Sequence, residues 1–161
     1  MSQPNDEDEQ SLEVLAHAAR FSLPADTRIL LVDDDPIFST LAASVLGLEA
    51  DQIVLAKDGA EAMHFLDVAE FHLAIVDLSM PEVDGFRLIA HIRHTPRLRR
   101  LPIVVVTSRQ DLQAIEEVHA MDVQLYMTKP LNLNLFPFSI HNVLRVSRKL
   151  ESIRQGVLGL L

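Results

Sequence analysis

A chain of 161 residues holds one domain of ordinary size with short extensions, buries a core without staples, and leaves no room for a second output domain of any size. Cysteine is absent, which excludes disulfides and thiolate metal sites, and the first residues are acidic where a secretory signal needs basic and then apolar ones, so a soluble, cytoplasmic protein is expected. The net charge of -9 disfavours nucleic acid as a partner, and no apolar run approaches the roughly 18 residues that suggest a membrane span. One local basic patch, Arg93, His94, Arg97, Arg99 and Arg100, has no interleaved aromatics and reads as a solvated loop before a strand.

Met1 to Gln10 is polar, with Asp6, Glu7, Asp8 and Glu9 in succession, and reads as a disordered tail. Ser11 to Phe21 places Leu12, Leu15, Ala16 and Ala19 at helical spacing behind Ser11 as N-cap, and Pro24 ends the run. From Arg28 onward, short apolar runs alternate with amphipathic segments. The runs at 28–33, 52–56, 72–77, 101–106 and 123–127 read as strands, and their near-continuous hydrophobicity suits a sheet covered on both faces. The first helical segment has Asp35 as cap and Pro36 in its first turn, with Phe38, Leu41, Ala42, Val45 and Leu46 along one face until Gly47. Segments 59–69, 85–94 and 111–120 carry Ala62, Phe65 and Leu66, then Phe86, Ile89 and Ile92, then Leu112, Ile115 and Val118.

After Pro130 a helical pattern runs toward the end, through Phe136, Val143, Val146, Leu150, Ile153, Val157 and Leu160, spaced by three and four once Ser139 is included. This exceeds what covering a five-stranded sheet needs. Gly156 and Gly159 each cost about 1 kcal/mol in a helix, so a covering helix that frays beyond Glu151 is the expectation. The alternative is a seam that binds a partner or pairs with a second copy as a homodimer. The chain divides into an N-terminal extension 1–26, a main domain 27–150 and a C-terminal helical extension 151–161.

Strands alternating with helices imply an α/β, doubly wound parallel sheet with helices on both faces, in which ligands bind beyond the carboxyl ends of the strands. Chemistry-bearing residues stand at those ends. Asp33-Asp34-Asp35 follows the first strand, Asp77 the third, Thr107 the fourth and Lys129-Pro130 the fifth; Met80-Pro81 and Asp84-Gly85 come after Asp77. Each alone also reads as a turn, a cap or a surface lysine. Together, Asp33, Asp34 and Asp77 put three carboxylates in one cleft, which calls for a cation, and hard oxygen ligands suit Mg2+. Lys129 can grip a phosphoryl group, the Thr107 hydroxyl can donate to it, and a carboxylate beside a metal is a competent nucleophile that forms an acyl phosphate.

At this point the chain resembles the response regulator receiver domains of two-component signalling, over about residues 28 to 145. The adjacent acids match Asp33 and Asp34, and the phosphoacceptor with its Met-Pro and Asp-Gly matches Asp77, Met80-Pro81 and Asp84-Gly85. The switch hydroxyl matches Thr107, the switch aromatic Tyr126 and the Lys-Pro pair Lys129-Pro130. The resemblance implies a flavodoxin-like five-stranded sheet of order 2-1-3-4-5. It implies a phosphoprotein of a phosphorelay rather than an enzyme, with a histidine kinase or phosphotransfer protein as donor and Asp77 as acceptor.

The same resemblance implies Mg2+ held by Asp34, Asp77 and the backbone carbonyl of Ser79, with Asp33 reaching it directly or through water. Thr107 and Tyr126 would then move on phosphorylation and reshape the face of the fourth helix, fifth strand and fifth helix, where a downstream protein docks. A cis Lys129-Pro130 bond is implied as well, and Ser79 and Arg109 are the neighbours that tune acyl-phosphate lifetime. Two positions depart from the pattern. His72 stands near the start of the third strand, where it is a structural variation, while Pro137 requires that the last helix begin near it or kink there. The alternatives are a Mg-dependent phosphohydrolase of the haloacid dehalogenase type, using Asp33 with Asp35, and a receiver that forms the N-terminal part of a larger regulator.

Overall fold

A computed structural model describes residues 23–161; the tail expected at 1–10 and the helix expected at 11–21 lie outside the described residues. Five strands form one parallel sheet: β1 (Ile29–Val32), β2 (Ile53–Ala56), β3 (Leu73–Val76), β4 (Ile103–Thr107) and β5 (Leu125–Thr128), in the order β2-β1-β3-β4-β5. Between and after them run α1 (Pro36–Val45), α2 (Gly59–Val68), α3 (Gly85–His94), α4 (Leu112–Ala120) and α5 (Phe136–Gly159). Each element lies within two residues of the expected bounds, except at the C-terminal end of α5.

The three central strands are buried throughout. Their side chains alternate between two cores, because successive residues of a strand face opposite sides of the sheet. Leu30, Val32, Ala74, Val76, Ile103 and Val105 pack with residues of α2, α3 and α4 on one face. Ile29, Leu31, Leu73, Ile75, Val104 and Val106 pack with α1 and α5 on the other. Each fully buried Leu or Ile contributes roughly 1.5–3 kcal/mol relative to exposure, so this double coverage explains why the strands read as unbroken apolar runs.

Aspartates start four of the five helices among the described residues. Asp35, Asp58, Asp84 and Asp111 are N-caps whose carboxylates accept backbone N–H bonds from the first turn. Each such cap contributes about 1 kcal/mol and fixes the residue at which the chain leaves the loop. Helix α5 differs: it has no side-chain cap bond, and Pro137 sits in its first turn, so the proline starts the helix rather than kinking it. The Asn132 side chain accepts from the N–H groups of Asn134 and Leu135 just before it.

Two expectations need correction. Helix α5 is continuous to Gly159 and does not fray beyond Glu151. At 24 residues it is about 36 Å long, and its helix-favouring Leu, Arg, Gln and Glu outweigh two exposed glycines. Only Phe136, Ile140, Val143 and Leu144 along it are buried; Leu150, Ile153 and Val157 are half exposed. The basic patch is likewise not simply a solvated loop. Arg93 lies in α3 and donates to the carbonyls of Arg99, Leu101, Met121 and Asp122 at 2.7–3.2 Å, and burial lowers its pKa. It ties α3 to the loops entering β4 and β5. His72 is structural as expected, its Nδ1 accepting the Arg28 N–H at 3.0 Å.

Candidate functional site

Parallel strands end on one edge of the sheet, and that edge gathers the residues expected there. Val32 and Val76 are paired in register at the ends of β1 and β3, so the next residues, Asp33 and Asp77, emerge side by side. The Asp77 N–H donates to the Val32 carbonyl at 2.9 Å, which continues the ladder by one step. Both aspartates are buried, Asp33 at 4% and Asp77 at 6% exposure, while Asp34 points to solvent. One carboxylate oxygen from each of Asp33, Asp34 and Asp77 lies within 4.8 Å of the others.

Lys129 enters from the end of β5, its N–H anchored on the Thr107 carbonyl at 2.9 Å. Its ammonium donates to Asp33 Oδ2 at 2.6 Å and to Asp77 Oδ2 at 3.2 Å. The Lys129-Pro130 bond is cis, as the resemblance implied. Burial pushes the Asp33 carboxyl above its ordinary value, and the hydrogen bond from Lys129 pulls it back only in part. Burial disfavours the Lys129 ammonium too, but the bond to Asp33 and the charges of Asp33 and Asp77 outweigh it, so its pKa is raised. Lys129 is therefore a fixed cation.

The other oxygens of the buried pair are held by backbone. Asp33 Oδ1 accepts the Asp35 N–H at 2.8 Å and Asp77 Oδ1 the Ser79 N–H at 3.1 Å, so neither carboxylate rotates freely. Asp84-Gly85 closes the loop behind Asp77. A side chain at Gly85 would run into the Asp77 carbonyl and lie 2.7 Å from Leu78 Cα, so only glycine lets α3 start this close to the acid. Thr107 is fully buried at the end of β4, where its hydroxyl meets the Arg109 N–H at 3.4 Å. Tyr126 donates its phenol to the Arg109 carbonyl at 2.8 Å, and Arg109 itself makes a two-point pair with Asp111 at 2.9 and 3.0 Å.

Sequence reasoning missed one neighbour, Phe38, whose ring centroid lies 4.1 Å from the Lys129 ammonium. It was read only as part of the inward face of α1, and helical periodicity does not say which strand end a ring will cover. Asp35 caps α1 through bonds from Ile37 and Phe38, so it does not pair with Asp33 as a dehalogenase-type acid would. The three acids with a single bound ammonium keep excess negative charge, and this donor set of hard oxygens makes a divalent-cation site.

The comparisons agree with this geometry. A family model described as the response regulator receiver domain matches residues 29–138. Response regulator Rcp1 of Synechocystis sp. is 32% identical over 114 residues, 65% of this chain and 78% of that protein. The two-component response regulator ARR17 of Arabidopsis thaliana is 26% identical over 125 residues, 70% and 82% of the two chains. Among solved structures, the Mn(2+)-bound form of Rcp1 superimposes with a TM-score of 0.63 at 28% identity, over 73% of this chain and 91% of that one. Chemotaxis response regulator CheY4 of Vibrio cholerae, at 24% identity and a TM-score of 0.66 over 73% and 98% of the chains, shares the fold. With buried Asp33 and Asp77 clamped by Lys129 at the carboxyl edge of a 2-1-3-4-5 sheet, the chain belongs to the response regulator receiver domains, signalling phosphoacceptors rather than turnover enzymes.

Proposed function

We propose that Asp77 is the acceptor, taking a phosphoryl group from a histidine kinase or phosphotransfer protein, and that Asp34, Asp77 and the Ser79 backbone carbonyl hold Mg2+, with Asp33 reaching it directly or through water. The observation that carries the reading is the position of Asp77. It is a buried carboxylate with one oxygen held by the Ser79 N–H and the other shared with the Lys129 ammonium, beside two further acids. In the transfer, an Asp77 oxygen forms the new P–O bond as the P–N bond to the donor imidazole breaks, and the imidazole leaves with that electron pair. A divalent ion held by these oxygens would supply charge withdrawal from the phosphoryl oxygens.

Lys129 changes partners in this scheme. Its ammonium gives up the Asp77 oxygen and donates to the phosphoryl group, while Asp33 keeps it aimed. The Thr107 hydroxyl turns toward the phosphoryl oxygen, and Tyr126 releases the Arg109 carbonyl and moves inward. The packing change reaches the face of α4, β5 and α5, where a downstream protein reads it.

The test is intact-protein mass after incubation with acetyl phosphate, with and without Mg2+, for the native chain and Asp77→Asn. A single phosphoryl adduct that requires Mg2+ and vanishes in the variant supports the assignment. An adduct that persists in Asp77→Asn moves the acceptor to another residue.

A further inference from the structure

Helix α5 outruns the core that it covers. Its buried residues end at Leu144, and every residue from Ser152 to Leu161 is exposed. The surplus length is not uniformly polar. Val146, Leu150, Ile153 and Val157 recur at spacings of four and three, each 45–53% exposed, and Leu160 continues the row at the helix end. Aliphatic residues in that rhythm occupy the d and a positions of a heptad, the pattern by which one helix packs along another.

The charges beside the row decide what kind of helix fits. The flanking e and g positions hold Asn142, Ser147, Lys149, Arg154 and Gly156, with no acid among them. Parallel self-pairing therefore sets Lys149 against the partner's Arg154, and antiparallel self-pairing offers each cation only a like charge or a neutral residue. Such repulsion works against a second copy as occupant. Glu151 is the one acid between Asn142 and Leu161, and its 3.7 Å pair with Arg154 is exposed on both sides, so it contributes little and leaves the guanidinium open to a second acid.

The surroundings add positive charge. Val146, Leu150 and Arg154 also line an arginine-rich groove of about 560 Å³ at the amino edge of the sheet, which residues 98–102 line as well. Arg99 and Arg100 there are exposed and have no ion pair among the described residues. On a chain of net charge -9, an apolar row bordered by unopposed cations selects an acidic partner.

We propose that this strip of α5 docks an acidic amphipathic helix of a second protein. The apolar face of that helix covers Val146, Leu150, Ile153 and Val157, its flanking glutamates meet Lys149 and Arg154, and further acids reach Arg99 and Arg100. The strip is separate from the Asp33, Asp34 and Asp77 cluster at the carboxyl edge, and docking there needs no phosphoryl group.

The test uses the unphosphorylated full chain, so its outcome is independent of the assignment of Asp77. The probe is a fluorescein-labelled peptide of three heptads with Val at a, Leu at d and Glu at e and g, whose like charges keep it from pairing with itself. Its control carries Lys at e and g, and binding is read by anisotropy. The expected result is that only the Glu peptide binds. Lys149→Glu with Arg154→Glu weakens that binding by about tenfold and lets the Lys peptide bind instead, a reversal that a merely loosened helix cannot produce. Leu150→Ser with Ile153→Ser abolishes binding of the Glu peptide. All four side chains are exposed, and an unchanged circular dichroism spectrum verifies that each variant is folded. Binding of neither peptide, binding of both alike, or indifference to the charge reversals overturns the proposal. A native chain that sediments as a dimer and becomes a monomer with Leu150→Ser and Ile153→Ser assigns the strip to a second copy and overturns it equally.

Discussion

Lys129 satisfies Asp33 and Asp77 but has no bond to Asp34, so the third carboxylate faces the pair with only solvent to screen it. Like charges about 5 Å apart repel by about 1 kcal/mol at water-like screening and more as water is excluded. Asp34→Ala is therefore expected to raise unfolding free energy by about 1 kcal/mol in urea titration without divalent ions, while weakening divalent binding. A variant that is less stable would contradict this electrostatic picture. Tyr126 gives a prediction with a pH signature. Burial first, and then the Asp111 charge, raises its phenol above 10.0. The folded state then holds the proton more tightly than the unfolded one, so the contribution to stability is complete below pH 10.0 and declines as pH rises above it. Tyr126→Phe removes the bond to the Arg109 carbonyl, costing about 1 kcal/mol at neutral pH. It should also flatten the alkaline decline, and an unchanged slope would assign that decline to other groups.

Elements were legible where their signal was local and obscure where it depended on distant backbone. The strands announced themselves as apolar runs, and their ends brought Asp33, Asp77 and Lys129 together because parallel strands share one carboxyl edge. Asp35-Pro36 and Asp84-Gly85 are start signals complete within a few residues, and both helices begin there. The reach of α5 was misread because two glycines were weighed against the helix while the favourable Leu150, Glu151, Arg154 and Gln155 before them were not. Arg93 was missed because its partners are carbonyls, and a carbonyl leaves no mark in a sequence. Its guanidinium joins α3 to the 98–102 and 121–124 loops, so Arg93→Met should cost about 3 kcal/mol, since bonds from a charged donor contribute about 1.5–3 kcal/mol each and are not additive. Urea denaturation checks it. A cost near that of Arg97→Met, whose exposed pair with Asp67 contributes little, would show that the clamp is not what holds these loops.

Across the whole molecule the two ends of the sheet carry opposite charge, three acids at the carboxyl edge and an arginine-lined groove at the amino edge, with a shared apolar core between them. On the reading proposed above, phosphoryl transfer to Asp77 reaches the rest of the protein through packing on α4, β5 and α5 rather than through direct charge contact. The same polarity makes divalent binding a property of the entire fold, because the unfolded chain does not hold Asp33, Asp34 and Asp77 within 4.8 Å of one another. A ligand that binds only the folded state stabilises it by about 2.7 kcal/mol at a hundred times its dissociation constant. For a chain of this size each kcal/mol shifts the melting temperature by about 2–4 °C, so saturating Mg2+ should raise it by about 5–10 °C over a chelator control. The shift should shrink in Asp34→Ala and in Asp77→Asn, each of which removes a carboxylate from the cluster. Calorimetry on the three proteins decides the matter: a rise of equal size in all of them would place the cation away from these acids, and with it the site from which the switch is thrown.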